Sequence, residues 1–104
     1  MDVQDFVTAC VKVEWAICYL GRRYIKPQAK KSMWKLAVNA FEELVGDGEE
    51  WENFTALVIS CVDNPPKERG EKLDKAWDIY ETARLELVNK HKFKLPTDSD
   101  SSPP

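Results

Sequence analysis

From Val3 to Tyr24 apolar residues recur at helical intervals: Val3, Phe6, Val7, Cys10, Val13, Ile17, Leu20 and Tyr24. At about 100° per residue they share one broad face, which predicts an amphipathic helix over 3–24. Asp2 suits its N-cap, and Asp5 falls in its first turn, where an acid is favoured. The opposite side carries Gln4, Thr8, Lys12, Arg22 and Arg23, but also Trp15 and Tyr19. Large aromatics on the polar side give this helix two working faces.

Ile25-Lys26-Pro27 breaks the pattern, because the residue before a proline avoids helical angles and Pro27 suits the first turn of a new helix. A second helix is predicted over 28–45, with Ala29, Met33, Trp34, Leu36, Ala37, Ala40, Phe41 and Leu44 on one face. Gly46-Asp47-Gly48 supplies its stop. A third is predicted over 49–62, with acids in its first turn and Trp51, Phe54, Val58, Cys61 and Val62 inward. Leu57-Val58-Ile59 also reads as a short strand, but a lone strand has nothing to pair with.

Asp63-Asn64-Pro65-Pro66 ends that helix. The fourth is predicted to start between Pro66 and Glu71, raggedly at Gly70, and to run to about residue 92. Leu73, Ala76, Trp77, Tyr80, Ala83, Leu87 and Val88 form its buried face. Beyond Leu95, residues 96–104 carry no large apolar side chain and read as a disordered tail. The expected fold is all-α: an antiparallel four-helix bundle over 1–95 followed by that tail.

Charge changes the picture. Between Trp15 and Phe41 stand Arg22, Arg23, Lys26, Lys30, Lys31 and Lys35, with no Asp or Glu. Then come Glu42, Glu43, Asp47, Glu49, Glu50 and Glu52, with no base among them. The formal net charge of −3 in 104 residues speaks against a general nucleic-acid binder, so any such role rests on a local patch. Cys10, Cys18 and Cys61 are odd in number and lack C-x-x-C spacing. They read as reduced thiols of a cytoplasmic or nuclear protein, not a secreted one. Asp5, Lys12 and Glu14 interrupt the N-terminal apolar run, which excludes a signal peptide or membrane span there.

Nothing in the pattern suggests catalysis. The one histidine, His91, sits between lysines near a helix C-terminus, where a cation is favoured. No Gly-rich phosphate loop and no metal-ligand spacing is present, so no cofactor, metal or small-molecule substrate is expected. Glu14 and Arg84 phase onto apolar faces and are expected to pair across the bundle or to emerge at its rim, because a lone buried charge is costly.

Lys12, Trp15, Tyr19, Arg22, Arg23, Lys26, Lys30, Lys31 and Lys35 form the candidate binding surface, since interfaces combine exposed aromatics with guanidinium groups. Either helix 3 or the Lys92-Phe93-Lys94-Leu95 segment would cover this face if it were merely structural. The expected function is a non-catalytic binding or regulatory protein, homodimeric, docking that surface onto an acidic protein partner. The alternative applies the same patch to phosphates, with shape-based binding of double-stranded RNA as the leading case.

Overall fold

The computed structural model describes residues 2–92 and contains four helices among them: α1 (Val3–Leu20), α2 (Pro27–Val45), α3 (Glu49–Cys61) and α4 (Pro66–His91). The expected tail lies outside the described residues. Asp2 caps α1 as its position suggested, its carboxylate accepting from the Asp5 N–H at 2.8 Å. Pro27 occupies the first turn of α2, and Gly46 ends that helix with a φ of 79°, a left-handed angle that suits a residue without Cβ. Leu57-Val58-Ile59 is helical, within α3.

One boundary differs from the sequence pattern, and another falls at the near edge of its expected range without the expected raggedness. α1 closes at Leu20, where Gly21 turns its N–H onto the Ile17 carbonyl and the Arg22 N–H onto that of Tyr19. Residues 22–26 therefore form a corner, and Tyr24, expected on the buried face, is 84% exposed. α4 begins cleanly at Pro66 and runs through Gly70. Proline at the start of a helix is pre-organised for it, which outweighs the roughly 1 kcal/mol that an interior glycine costs.

The inward faces are apolar apart from one buried arginine, Arg69 of α4. Phe6, Ala9, Val13, Ala16 and Leu20 of α1 are buried against Ala37, Ala40 and Phe41 of α2, Phe54, Val58 and Cys61 of α3, and Leu73, Ala76 and Tyr80 of α4. Aromatic rings make the centre: Phe41 stacks on Phe54 with centroids 4.3 Å apart and meets Tyr80 edge-on at 6.4 Å. Each fully buried large side chain is worth about 1.5–3 kcal/mol relative to exposure. The Trp51 indole N–H donates to the Val38 carbonyl at 2.9 Å, tying α3 to α2.

Packing is densest within the α1–α2 and α3–α4 pairs, α2 and α3 join them, and α1 touches α4 only sparsely. The result is elongated, 47 × 29 × 21 Å. Short connections make neighbouring helices antiparallel, which brings Glu43 near the end of α2 beside Asp5, Thr8 and Lys12 of α1. Among the described residues no helix is long and apolar enough to cross a membrane.

Candidate binding surface

The corner between α1 and α2 is held from across the molecule. Arg69, in the first turns of α4, is 3% exposed. Its Nε donates to the Leu20 carbonyl at 2.8 Å and its Nη1 to that of Asn64 at 3.1 Å. Its Nη2 donates to the Arg22 carbonyl and, at 3.4 Å, to that of Arg23. The last carbonyls of a helix lack partners and carry partial negative charge, so they compensate a buried cation without a carboxylate. Only the flat five-donor fork of arginine reaches so many acceptors at once.

Arg69 is the functional residue that sequence reasoning missed. It lies in phase with Leu73, Ala76, Tyr80 and Ala83, so the periodicity that flags Arg84 flags it too once α4 starts at Pro66.

With the carbonyls turned inward, Arg22, Arg23, Tyr24 and Lys26 of the corner are exposed, while Ile25 packs on the core. The Arg22 guanidinium lies over the Tyr19 ring at 4.5 Å, and Tyr19 packs on Trp15 with centroids 5.8 Å apart. Trp15, Tyr19 and Arg22 thus form one continuous ladder along the outer face of α1. Trp15 is 52% exposed within the described residues, so α3 does not cover this face. Phe93, Lys94 and Leu95 of the other expected cover lie outside the described residues. Arg23 stacks on Tyr24 at 5.6 Å. Such cation–π contacts hold the guanidinium groups in place without neutralising them.

Lys26 is the exposed residue before α2, and Lys30 is half-buried one turn later. The first turn of α2 contains no acid. Bases at the positive end of a helix dipole disfavour the helix, so here they concentrate positive potential at the corner. Arg69 meanwhile occupies the carbonyls at the end of α1. Lys31 and Lys35 are exposed one turn apart on α2, the latter over the Trp34 ring at 6.0 Å. Lys12 stands further down α1, where Asp5, Thr8 and Glu43 line a cleft of about 380 Å³ with it.

The expected Glu14–Arg84 pair gives way to two other contacts. Glu14 accepts a hydrogen bond from the Tyr80 hydroxyl, which also approaches the Cys10 carbonyl at 3.5 Å. Arg84 has a long contact with Glu81 on its own helix, at 3.9 Å, with 26% of its side chain exposed. Tyr80 projects from the fully buried position one turn earlier and reaches Glu14 first. Burial, reinforced by the hydrogen bond to Glu14, drives the Tyr80 phenol far above its ordinary pKa.

Burial likewise raises the Cys10 thiol, and raises that of Cys61 to about 11. Cys18 is the exposed thiol and stands with Ile17, Leu73 and Trp77 around a groove of about 420 Å³ between α1 and α4. No group of three or more metal-binding side chains occurs among the described residues. The arrangement offers guanidinium, ammonium and aromatic surface, which is the chemistry of anion and protein recognition.

Compared with protein-family models, with curated proteins and with solved structures, the chain matches none of them.

Proposed function

We propose that this chain is a non-catalytic binding protein that docks its Trp15–Tyr19–Arg22 face, with the basic corner of Arg23, Lys26 and Lys30, onto an acidic protein partner. The observation that carries the reading is the ladder itself: an exposed Trp15 ring, a half-buried Tyr19 ring and a stacked guanidinium, on a corner whose backbone is held by Arg69. A pre-ordered aromatic and arginine cluster loses little freedom on binding, and such residues dominate interface energetics. A second reading, phosphate binding with double-stranded RNA as ligand, is favoured by the exposed Lys31–Lys35 row on α2 and the acid-free start of that helix.

Fluorescence anisotropy of a labelled polyglutamate peptide and of a labelled RNA duplex, at low and moderate salt, tests both. The acidic-partner reading expects peptide binding that Trp15→Ala weakens by about 2 kcal/mol, the scale of an interface hot spot. Duplex binding with a steep salt dependence, lost on Arg22→Ala and Arg23→Ala but indifferent to Trp15→Ala, would establish the second reading instead. Binding of neither ligand by the protein in monomeric form would overturn both.

A further inference from the structure

The outer face of α1 and the corner beyond it carry a spacing that reads the same from both ends. Asp5, Thr8, Lys12, Trp15, Tyr19 and Arg22 recur at alternating steps of three and four residues, the spacing of a helix–helix contact stripe. Asp5, Thr8 and Lys12 share one cleft, and the stacked rings and guanidinium continue the line from Trp15 to Arg22. The six positions are placed symmetrically about a point level with the Val13–Glu14 peptide. Asp5 and Arg22 are equidistant from it, as are Thr8 and Tyr19, and Lys12 and Trp15.

We propose that the acidic partner of this face is a second copy of the chain, laid antiparallel along α1 about a two-fold axis at that point. Asp5 then meets Arg22 of the other copy, Thr8 meets Tyr19, and Lys12 meets Trp15. The inference rests on the reading that this face docks onto an acidic protein, and it names that protein. An ion pair forms towards either end of α1, with Arg22 just past the helix terminus, and a cation–π contact forms near the centre. Every contact occurs twice, as a two-fold interface requires.

Charge decides the orientation. One end of the α1–α2 hairpin carries Asp2, Asp5, Glu42 and Glu43; the other carries Arg22, Arg23, Lys26 and Lys30. Antiparallel docking sets acid on base at both ends, whereas parallel docking sets like on like. Charge also decides between a second copy and RNA for this stripe. A phosphate backbone lying along it would face Asp5 and Glu43 at one end.

Sedimentation equilibrium of the full chain, with far-UV circular dichroism to confirm folding, tests the register. The parent is expected to dimerise. Asp5→Arg and Arg22→Asp each set like charges together at both ends and raise the dissociation constant at least about tenfold. The double variant Asp5→Arg/Arg22→Asp restores opposite signs and returns to within about threefold of the parent.

Trp15→Ser, at an exposed position, is expected to give a folded monomer, which keeps the test informative if the charge variants unfold. A parent that stays monomeric at all concentrations overturns the proposal. So does a dimer indifferent to Trp15→Ser and to the single reversals, or a double variant no tighter than the singles. Polyglutamate titration separates this failure from that of the underlying reading. A monomeric parent that still binds the peptide through Trp15 refutes the second copy alone; a monomer that binds only RNA duplex refutes both.

Discussion

Arg69 and Arg84 both lie on the inward arc of α4, and the molecule treats them in opposite ways. Arg69 is buried with its charge spread over the carbonyls of Leu20, Asn64, Arg22 and Arg23. Arg84 keeps a quarter of its side chain in solvent and makes one long contact with Glu81. The difference lies in what the neighbouring helix offers. At the corner α1 ends and presents unpaired carbonyls; beside Arg84 the helices are continuous and every carbonyl there is already engaged within its own helix. A buried guanidinium needs a helix end more than it needs a carboxylate.

The sharpest break of that comparison is Arg69→Met, which leaves carbonyls buried without donors and frees the corner. A loss of about 3–5 kcal/mol is expected in urea unfolding, the cost of breaking a buried charged arrangement. A loss under 1 kcal/mol would show that water replaces the guanidinium freely. Next is Tyr80→Phe, which strips Glu14 of its phenolic donor and is expected to cost about 1–3 kcal/mol.

Alkaline titration gives a graded effect at Cys61. Its thiol is raised by burial from 9.0 to about 11, so the folded state holds that proton more tightly than the unfolded chain does. The contribution is whole below pH 9 and is lost as pH climbs towards 11, with Cys10 and Tyr80 acting in the same direction. Urea midpoints measured across that window should fall less steeply for Cys61→Ala than for the parent; parallel curves would contradict the assignment. The smallest effect is expected from Arg84→Leu, within about 1 kcal/mol of the parent, because an exposed pair at this separation contributes little. A loss as large as that of Arg69→Met would erase the contrast between the two arginines.

Much of the fold was legible because its signals are local. Asp2, Pro27, Gly46 and the periodic apolar faces act within a turn or two of themselves, and the helices start and stop close to where those residues require. Of the two aromatics out of place on a polar side, Trp15 is exposed and Tyr19 half-buried among the described residues. What stayed hidden depends on distance through space. The carbonyls past the end of α1 are engaged by a side chain on α4, and the partner of Glu14 is a tyrosine 66 positions away. Gly70, read as a ragged start, concealed the phase that would have exposed Arg69.

The hydrogen bond from Arg69 to Leu20 spans 49 positions of chain. α1 and α2 are sequence neighbours and can pair early, since closing a short loop costs little entropy. The clamp on the loop between them forms only with α4 docked, because its donor, Arg69, lies on that helix. A nascent chain halted before α4 would already carry every base of the binding face, yet would lack the clamp that sets the backbone beneath Arg22 and Arg23. Synthesis order thereby places the clamp after the basic residues whose backbone it holds.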